Sequence, residues 1–292
     1  MSKILVTGVT GQLGKAVIEL LINKTQKSDL AVLAREASKV EHLNEQGVEI
    51  RIGDYNDENS LVSAFAGIDK LYFVSSNDIQ NRLQQHQNVI NAAKKAGVKH
   101  IIYTSFQRKN ETPDSPIAFI AESHLKTEQW IKEAGITYTF LQNSIYTDIV
   151  PMFLGEQVLE TGTVFFPAGD GKVSFALRQD MAEASVAILT SEGHENKSYD
   201  FNTEQTVTFQ EIADILSEIL GKTINYVSPT QEVYIETLSS AGVPMEYVGM
   251  FAGFAEAFKQ NEFDKTSNTL ESLTGKKPVS VSDFLKQVYS SK

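Results

Sequence analysis

The segment Thr7-Gly8-Val9-Thr10-Gly11-Gln12-Leu13-Gly14 follows directly on the apolar run Lys3-Ile4-Leu5-Val6. An apolar run ending in glycines at this spacing reads as a strand, a tight turn and the first turn of a helix. In that geometry Gly8 permits the turn, Gly11 lets backbone N–H groups approach a phosphate, and Gly14 lets the helix pack close to the sheet. The free N–H groups and the dipole at the helix start then favour an anion. The expectation is a pyrophosphate cradle formed by Gly8, Val9, Thr10, Gly11, Gln12, Leu13 and Gly14. The alternative is a glycine-rich turn that binds nothing.

Downstream, β-rich runs alternate with amphipathic segments. The runs are Leu30-Ala31-Val32-Leu33, Val48-Glu49-Ile50-Arg51-Ile52, Leu71-Tyr72-Phe73-Val74, His100-Ile101-Ile102-Tyr103 and Tyr138-Thr139-Phe140-Leu141. Helical spacing of apolar residues predicts helices over residues 12–23, 57–65, 80–96 and 116–133, the last with Ser115 as N-cap and Pro116 as first helical residue. Gly97 and Gly135 read as helix stops before the next strand. Repeated βαβ units imply an α/β fold, a doubly wound parallel sheet of the Rossmann type. After Gln142 the alternation fades. Asp180 is expected to cap a helix ending at Leu189, Tyr199-Asp200-Phe201-Asn202 to form a strand, and Thr208 and Glu211 to form a capping box. Further helices are expected over residues 232–241, 246–260 and 281–289. This divides the chain into a dinucleotide-binding domain at residues 1–150, with added elements from 178–203, and a smaller, mostly helical C-terminal lobe at 151–177 and 204–292 that closes over the sheet.

Bulk properties narrow the function. The 292 residues carry a formal charge of −11, which argues against non-specific binding to nucleic acid or anionic membranes. There is no cysteine, so disulfides, thiolate metal sites and thiol redox chemistry are excluded. His42, His86, His100 and His194 show no ligand spacing, and no metal is expected. The opening residues read as a core strand and not as a leader. No apolar run approaches the ~18 residues of a membrane helix. A cytoplasmic protein, monomer or homodimer, is expected.

The end of the second strand distinguishes nicotinamide cofactors. An acidic residue about 20 positions after the glycines binds the ribose 2′-hydroxyl of NAD, whereas an arginine suits the 2′-phosphate of NADP. Here the strand ends Leu33-Ala34-Arg35, and a guanidinium matches phosphate geometry. NADP(H) is therefore expected, against the alternative of a solvated surface charge; Glu36 should point elsewhere. Asp54 and Tyr55, after the third strand, are placed either at the adenine or in a simple turn. Val74, Ser75, Ser76 and Asn77 follow the fourth strand and should line the pyrophosphate and ribose path.

Several stretches together carry a family resemblance: the glycine turn, Arg35, Gln46-Gly47-Val48, Gly53-Asp54-Tyr55, Val98-Lys99-His100, Tyr103-Thr104-Ser105, Gly135-Ile136-Thr137-Tyr138-Thr139 and Glu192-Gly193-His194-Glu195. Over essentially its whole length the chain resembles the NmrA-like group of atypical short-chain dehydrogenases/reductases, especially its quinone and triphenylmethane-dye reductases. The resemblance implies NADPH and a small planar hydride acceptor such as a quinone. The wider short-chain family carries Tyr-x-x-x-Lys on the helix after the fifth strand. The matching positions here hold Ile120 and His124, so that pair is missing. Hydride addition to a ketone gives a strongly basic alkoxide, but addition to a quinone gives a phenolate-like anion, and a phenol has a pKa of about 10. Such an acceptor needs positioning and dryness more than a dedicated acid.

The expected catalytic residues are His124, which bonds the nicotinamide ribose or relays a proton, or else is a helix-surface histidine; Ser105, which contacts carboxamide or substrate oxygen, or else bonds its own backbone; and Asn143, which holds the carboxamide or the acceptor oxygen. Gln142, Asn143, Ser144, Ile145 and Tyr146, after the sixth strand, are expected along the nicotinamide, with ordinary packing as the alternative for Tyr146. Phe165, Phe166, Met250, Phe251 and Phe254 either shape an acceptor pocket or fill the core, and core is favoured. The same missing pair also fits a non-enzymatic NmrA-like redox sensor; it disfavours an epimerase or dehydratase. Arg35→Ala should weaken NADPH binding much more than NADH binding. Equal losses by titration would remove the phosphate assignment.

Overall fold

A computed structural model of the protein describes residues 2–155 and 157–290. Seven strands form one parallel sheet: β1 (Ile4–Val6), β2 (Leu30–Ala34), β3 (Glu49–Ile52), β4 (Lys70–Phe73), β5 (His100–Phe106), β6 (Thr137–Asn143) and, after the short β7 (Thr163–Phe165), β8 (Lys197–Phe201). Their order is β3-β2-β1-β4-β5-β6-β8. The winding reverses between β1, with Ile4 opposite Leu30 of β2, and β4, with Ile4 opposite Lys70. Ligands of such sheets sit at this reversal, outside the carboxyl ends of the strands. The glycine turn leaves β1 at that point.

Strand periodicity sorts the core into two faces. Ile4 and Val6, with Leu30, Val32, Tyr72, Ile102 and Leu141, face the helices Gln12–Ile22 and Arg178–Leu189. Leu5, with Ala31, Leu33, Leu71, Phe73, Ile101, Tyr103 and Phe140, faces Glu58–Phe65, Arg82–Ala96 and Ala118–Glu133. Burial on both faces explains why these strands read as continuous apolar runs and not as alternating ones.

A third cluster belongs to the second half of the chain. Phe153, Phe166, Phe209, Phe254, Phe258 and Phe263 meet there, with Ile117 and Ile145 from the sheet half. β7 pairs in parallel with β9 (Asn225–Val227) to form a small ribbon beside this cluster. The helices Phe209–Leu220, Gln231–Ser240, Met245–Lys259 and Val281–Tyr289 surround it. No helix among the described residues is long and apolar enough to cross a membrane.

Most expected boundaries hold to within two residues, including the Thr208–Glu211 capping box and the left-handed Gly97. Two helix starts differ. Ser115 and Pro116 form a turn, and the helix begins at Ala118. Asp180 is no N-cap: the helix begins at Arg178, whose N–H is capped from outside by Asp148 Oδ2 at 3.0 Å. Asp180 accepts the Val279 N–H at 2.8 Å instead, a tertiary bond with no local sequence signal.

The helix start lies so near β1 that a Cβ on Gly14 would stand 2.4 Å from the Gly8 carbonyl oxygen, whereas one on Gly11 would meet that oxygen at 3.4 Å. Gly14→Ala should therefore lose about 1–3 kcal/mol of stability and Gly11→Ala less, read from urea unfolding. Equal losses would contradict this packing.

Candidate active site

The turn after β1 has the features of an anion site. Gly8 adopts φ +65°, and a Cβ there would meet Val74 Cβ at 2.9 Å. The Gly11 N–H closes the turn on the Gly8 carbonyl at 2.9 Å. Gly11 is also the N-cap of Gln12–Ile22, with no side-chain cap and no acidic residue in the first turn. The first N–H groups of the helix thus keep their unsatisfied donors and positive dipole end. Val9 and Leu13 turn their side chains into the core and offer only backbone, while Thr10, Gly11 and Gln12 are exposed. Beside the turn runs a groove of about 330 Å³ whose lining includes Thr10, Lys15, Lys39 and His42.

Arg35 stands exposed directly after β2 and has no hydrogen-bond partner among the described residues. Glu36 is drawn aside onto Lys39 at 2.6 Å, and that ammonium holds its carboxyl below the usual range. The acidic neighbour is thus engaged while the guanidinium stays open to an anion.

After β3 the chain makes an Asx turn. Asp54 Oδ1 accepts the Asn56 backbone N–H at 2.9 Å and its side-chain amide at 3.0 Å. Tyr55 donates to the Val74 carbonyl at 2.9 Å and lies 2.6 Å from Thr7 Oγ1, its ring edge-on to Phe73. Burial raises its phenol pKa. The Tyr55 hydroxyl is therefore a strand clamp, and only its ring remains to meet a base.

The loop after β4 is held by its backbone. The Ser75 N–H donates to Thr104 Oγ1 at 2.8 Å, the Ser76 N–H to His86 Nε2 at 3.0 Å, and Arg82 Nε donates to the Ser76 carbonyl at 2.6 Å. Asn77 is exposed. Because His86 accepts at Nε2, its proton sits on Nδ1 and goes to Thr127 Oγ1 at 2.8 Å; Thr127 in turn donates to the Ser123 carbonyl at 2.6 Å. Burial and the nearby Arg82 push His86 down to about 3, so the imidazole is neutral.

At the ends of β5 and β6 the structure revises several sequence-based roles. Ser105 is buried and donates to Glu128, which Arg108 grips through two guanidinium nitrogens at 3.1 and 2.9 Å. The hydroxyl is thus bound into a protein network. His124 is buried, bonds Tyr103 Oη through Nδ1 at 2.7 Å and stacks on Phe106. Desolvation lowers its pKa well below the ordinary value, so the expected relay of a proton near neutral pH does not fit its surroundings. Ser144 donates to the Ser174 carbonyl at 2.6 Å, and Ile145 packs into the third cluster; both serve structure. Gln142 lies half-buried on β6 opposite Ser105. Phe166 and Phe254 are core, with Phe165, Met250 and Phe251 packed against it.

Asn143 fits a binding role best. It is 3% exposed, its Nδ2 donates to Tyr146 Oη at 3.3 Å, and its Oδ1 is buried without a partner. Gln107 Nε2 and Thr147 Oγ1 are buried and unpartnered too, while Arg178 Nη1 is paired with Asp148 Oδ2 at 3.5 Å. Tyr146 carries the Arg178 guanidinium over its ring at 4.0 Å. Buried polar groups are rarely left unpaired, so this edge offers donors and acceptors suited to an amide-bearing ligand.

Comparison with known proteins places this geometry. The family model of the NmrA-like family matches residues 1–285. The chain belongs to the NmrA-like family. It is 33% identical to quinone oxidoreductase 2 of Escherichia coli over 98% of this chain and 99% of that protein. The structure of the E. coli NADPH-dependent quinone oxidoreductase in complex with NADPH superposes with a TM-score of 0.90 at 34% identity, covering 98% of this chain and 99% of that one. Triphenylmethane reductase of Citrobacter sp. complexed with NADP(H) gives 0.89 at 40% identity, over 97% and 99% of the two chains.

The buried histidines set a pH response. His86 is pushed down to about 3 and His100 to about 4 from an ordinary 6.5, in both cases chiefly by burial. Below that ordinary value the unfolded chain binds protons that the folded one refuses, so stability falls as pH drops from 6.5 toward 4, by at most about 1.4 kcal/mol per unit for each ring. In an NMR titration both rings should stay neutral at pH 5. Protonation of either there would contradict this burial.

Proposed function

We propose that this chain is an NADPH-dependent oxidoreductase that reduces quinones, or similar electron-poor conjugated acceptors, by two-electron hydride transfer. The observation that carries the reading is the buried, unpartnered Asn143 Oδ1 on the same sheet edge as the uncapped glycine turn. When bound, the cofactor supplies a hydride at nicotinamide C4. The N–H groups of residues 8–14 hold its pyrophosphate, Arg35 its 2′-phosphate, and Asn143 Oδ1 accepts from its carboxamide. Ser75 and Ser76 lie along the path between. The lobe at residues 151–177 and 204–292 covers the acceptor and excludes water.

The choice of acceptor follows from what the helix Ala118–Glu133 lacks. Ile120 is core, and His124 is a buried neutral imidazole bonded to Tyr103. Neither organises proton transfer to a basic alkoxide, so an acceptor that yields a stabilised anion suits this site. The likeness to E. coli quinone oxidoreductase 2 supports the same choice, as does the 33% identity to an NAD(P)H azoreductase of Xenophilus azovorans over 82% of each chain.

NADPH oxidation should accelerate with simple benzoquinones and naphthoquinones after subtraction of the uncatalysed rate. Asn143→Ala should lower that turnover by up to about 100-fold through misplacement of the hydride donor. No enzyme-dependent rate across quinones and dyes would favour a dinucleotide-binding sensor.

A further inference from the structure

Among the described residues the buried charged side chains include Arg82, Arg108, Glu128 and Glu262. Glu128 is forked by Arg108, and Glu262 accepts the backbone N–H groups of Lys109 and Asn110 at 3.1 and 2.9 Å. Arg82, 7% exposed, has no carboxylate within ion-pair distance among the described residues. Asp78, whose charge reaches it, is already held by Asn81 and Gln85. A buried cation without a counterion is unfavourable.

The position of Arg82 supplies a reason to keep one. Its Nε donates to the carbonyl of Ser76, in the loop at the carboxyl end of β4, and its Nη1 to Ser123 Oγ at 3.4 Å, one residue before His124. Its Nη2 has no partner among the described residues. Its charge acts on Tyr103 and Tyr146, and it depresses His86 and His124. Tyr146 in turn bonds Asn143. The guanidinium therefore lies between the loop after β4 and the helix Ala118–Glu133, with a donor to spare.

Resting on the quinone-reductase reading, we propose that Arg82 is a catalytic residue that stabilises the negative charge formed on the acceptor oxygen and thereby selects neutral acceptors over cationic ones. In the reaction the quinone takes a hydride from NADPH, leaving NADP⁺. A C–H bond breaks at the donor, an O–H bond forms on one quinone oxygen, and the other oxygen carries the negative charge until a proton from water completes the hydroquinone. The free Nη2–H group meets that second oxygen where low dielectric strengthens the contact. A cationic triphenylmethane dye loses its charge on taking a hydride, so it offers Arg82 no anion and is repelled before it reacts.

The test uses the NADP⁺ complex of the full chain and 4-nitrophenol as a mimic of the oxyanion, whose ionised form is read by its visible absorbance. Bound to the wild-type complex, the probe should ionise at a lower pH than in free solution. Arg82→Gln, which keeps a donor for the Ser76 carbonyl, should abolish that shift, and Arg82→Lys should retain part of it. Arg82→Gln should also lower quinone turnover about 100-fold, leave NADPH affinity unchanged and reduce the ratio of quinone to cationic-dye rates. The proposal is overturned if the wild-type complex leaves the ionisation of the probe unshifted, or if Arg82→Gln weakens NADPH binding by the same factor as turnover. Should the wild-type protein reduce no quinone with NADPH, the functional reading fails instead, while the probe still reports on Arg82.

Discussion

The site depends on the contact between Gly14 and the Gly8 carbonyl. With no side chain at either position, the helix Gln12–Ile22 begins against the end of β1. That closeness fixes the first N–H groups of the helix at the reversal of the sheet, where the crossovers on either side of β1 leave the edge open. No side chain among the described residues caps those donors. A helix start left in this state is destabilising for the protein alone and favourable once an anion occupies it. The placement of Arg35, the Ser75–Ser76 loop and Asn143 follows from strands whose register is set against β1 or its neighbours.

Around this edge the protein spends its polar groups unevenly. Tyr55, Thr7, His86, Thr127, Ser105, Glu128 and Arg108 are bonded to one another or to backbone. These bonds lock strand ends and loops, while burial and the nearby Arg82 keep His86 neutral. Asn143, Gln107 and Thr147 each retain a buried atom with no partner. The division separates groups that hold the framework from groups that keep open polar atoms. It also explains how a site without a Tyr-Lys pair is still preorganised: rigidity comes from the bonded network beneath, and polarity from the few atoms left open.

The sheet was largely legible in the sequence because local chemistry writes it. Continuous apolar runs mark strands buried on both faces, and Gly97 and Gly135 mark helix ends through their left-handed backbone. The placement of the glycine turn and of Arg35 was legible for the same reason, since each follows directly on a strand. What was hidden is tertiary. Asp148 caps a helix 30 residues away, and the β7–β9 ribbon joins two strands of three residues each, too short for a periodic signal. His86 and Thr127 meet across 41 residues, and Arg108 and Glu128 across 20. Ser105 and His124 stood in the expected places, yet their partners decide their roles, and no spacing in the chain announces Glu128 or Tyr103 as those partners.

Isothermal calorimetry of the unmodified protein with NADPH, and with NADH as the comparison, tests the central claim most directly. An uncapped helix start with a free guanidinium after β2 predicts saturable binding of NADPH and weaker binding of NADH. The absence of heat with either dinucleotide at saturating concentration would contradict the account, because the open donors at β1 would then have no anion to receive.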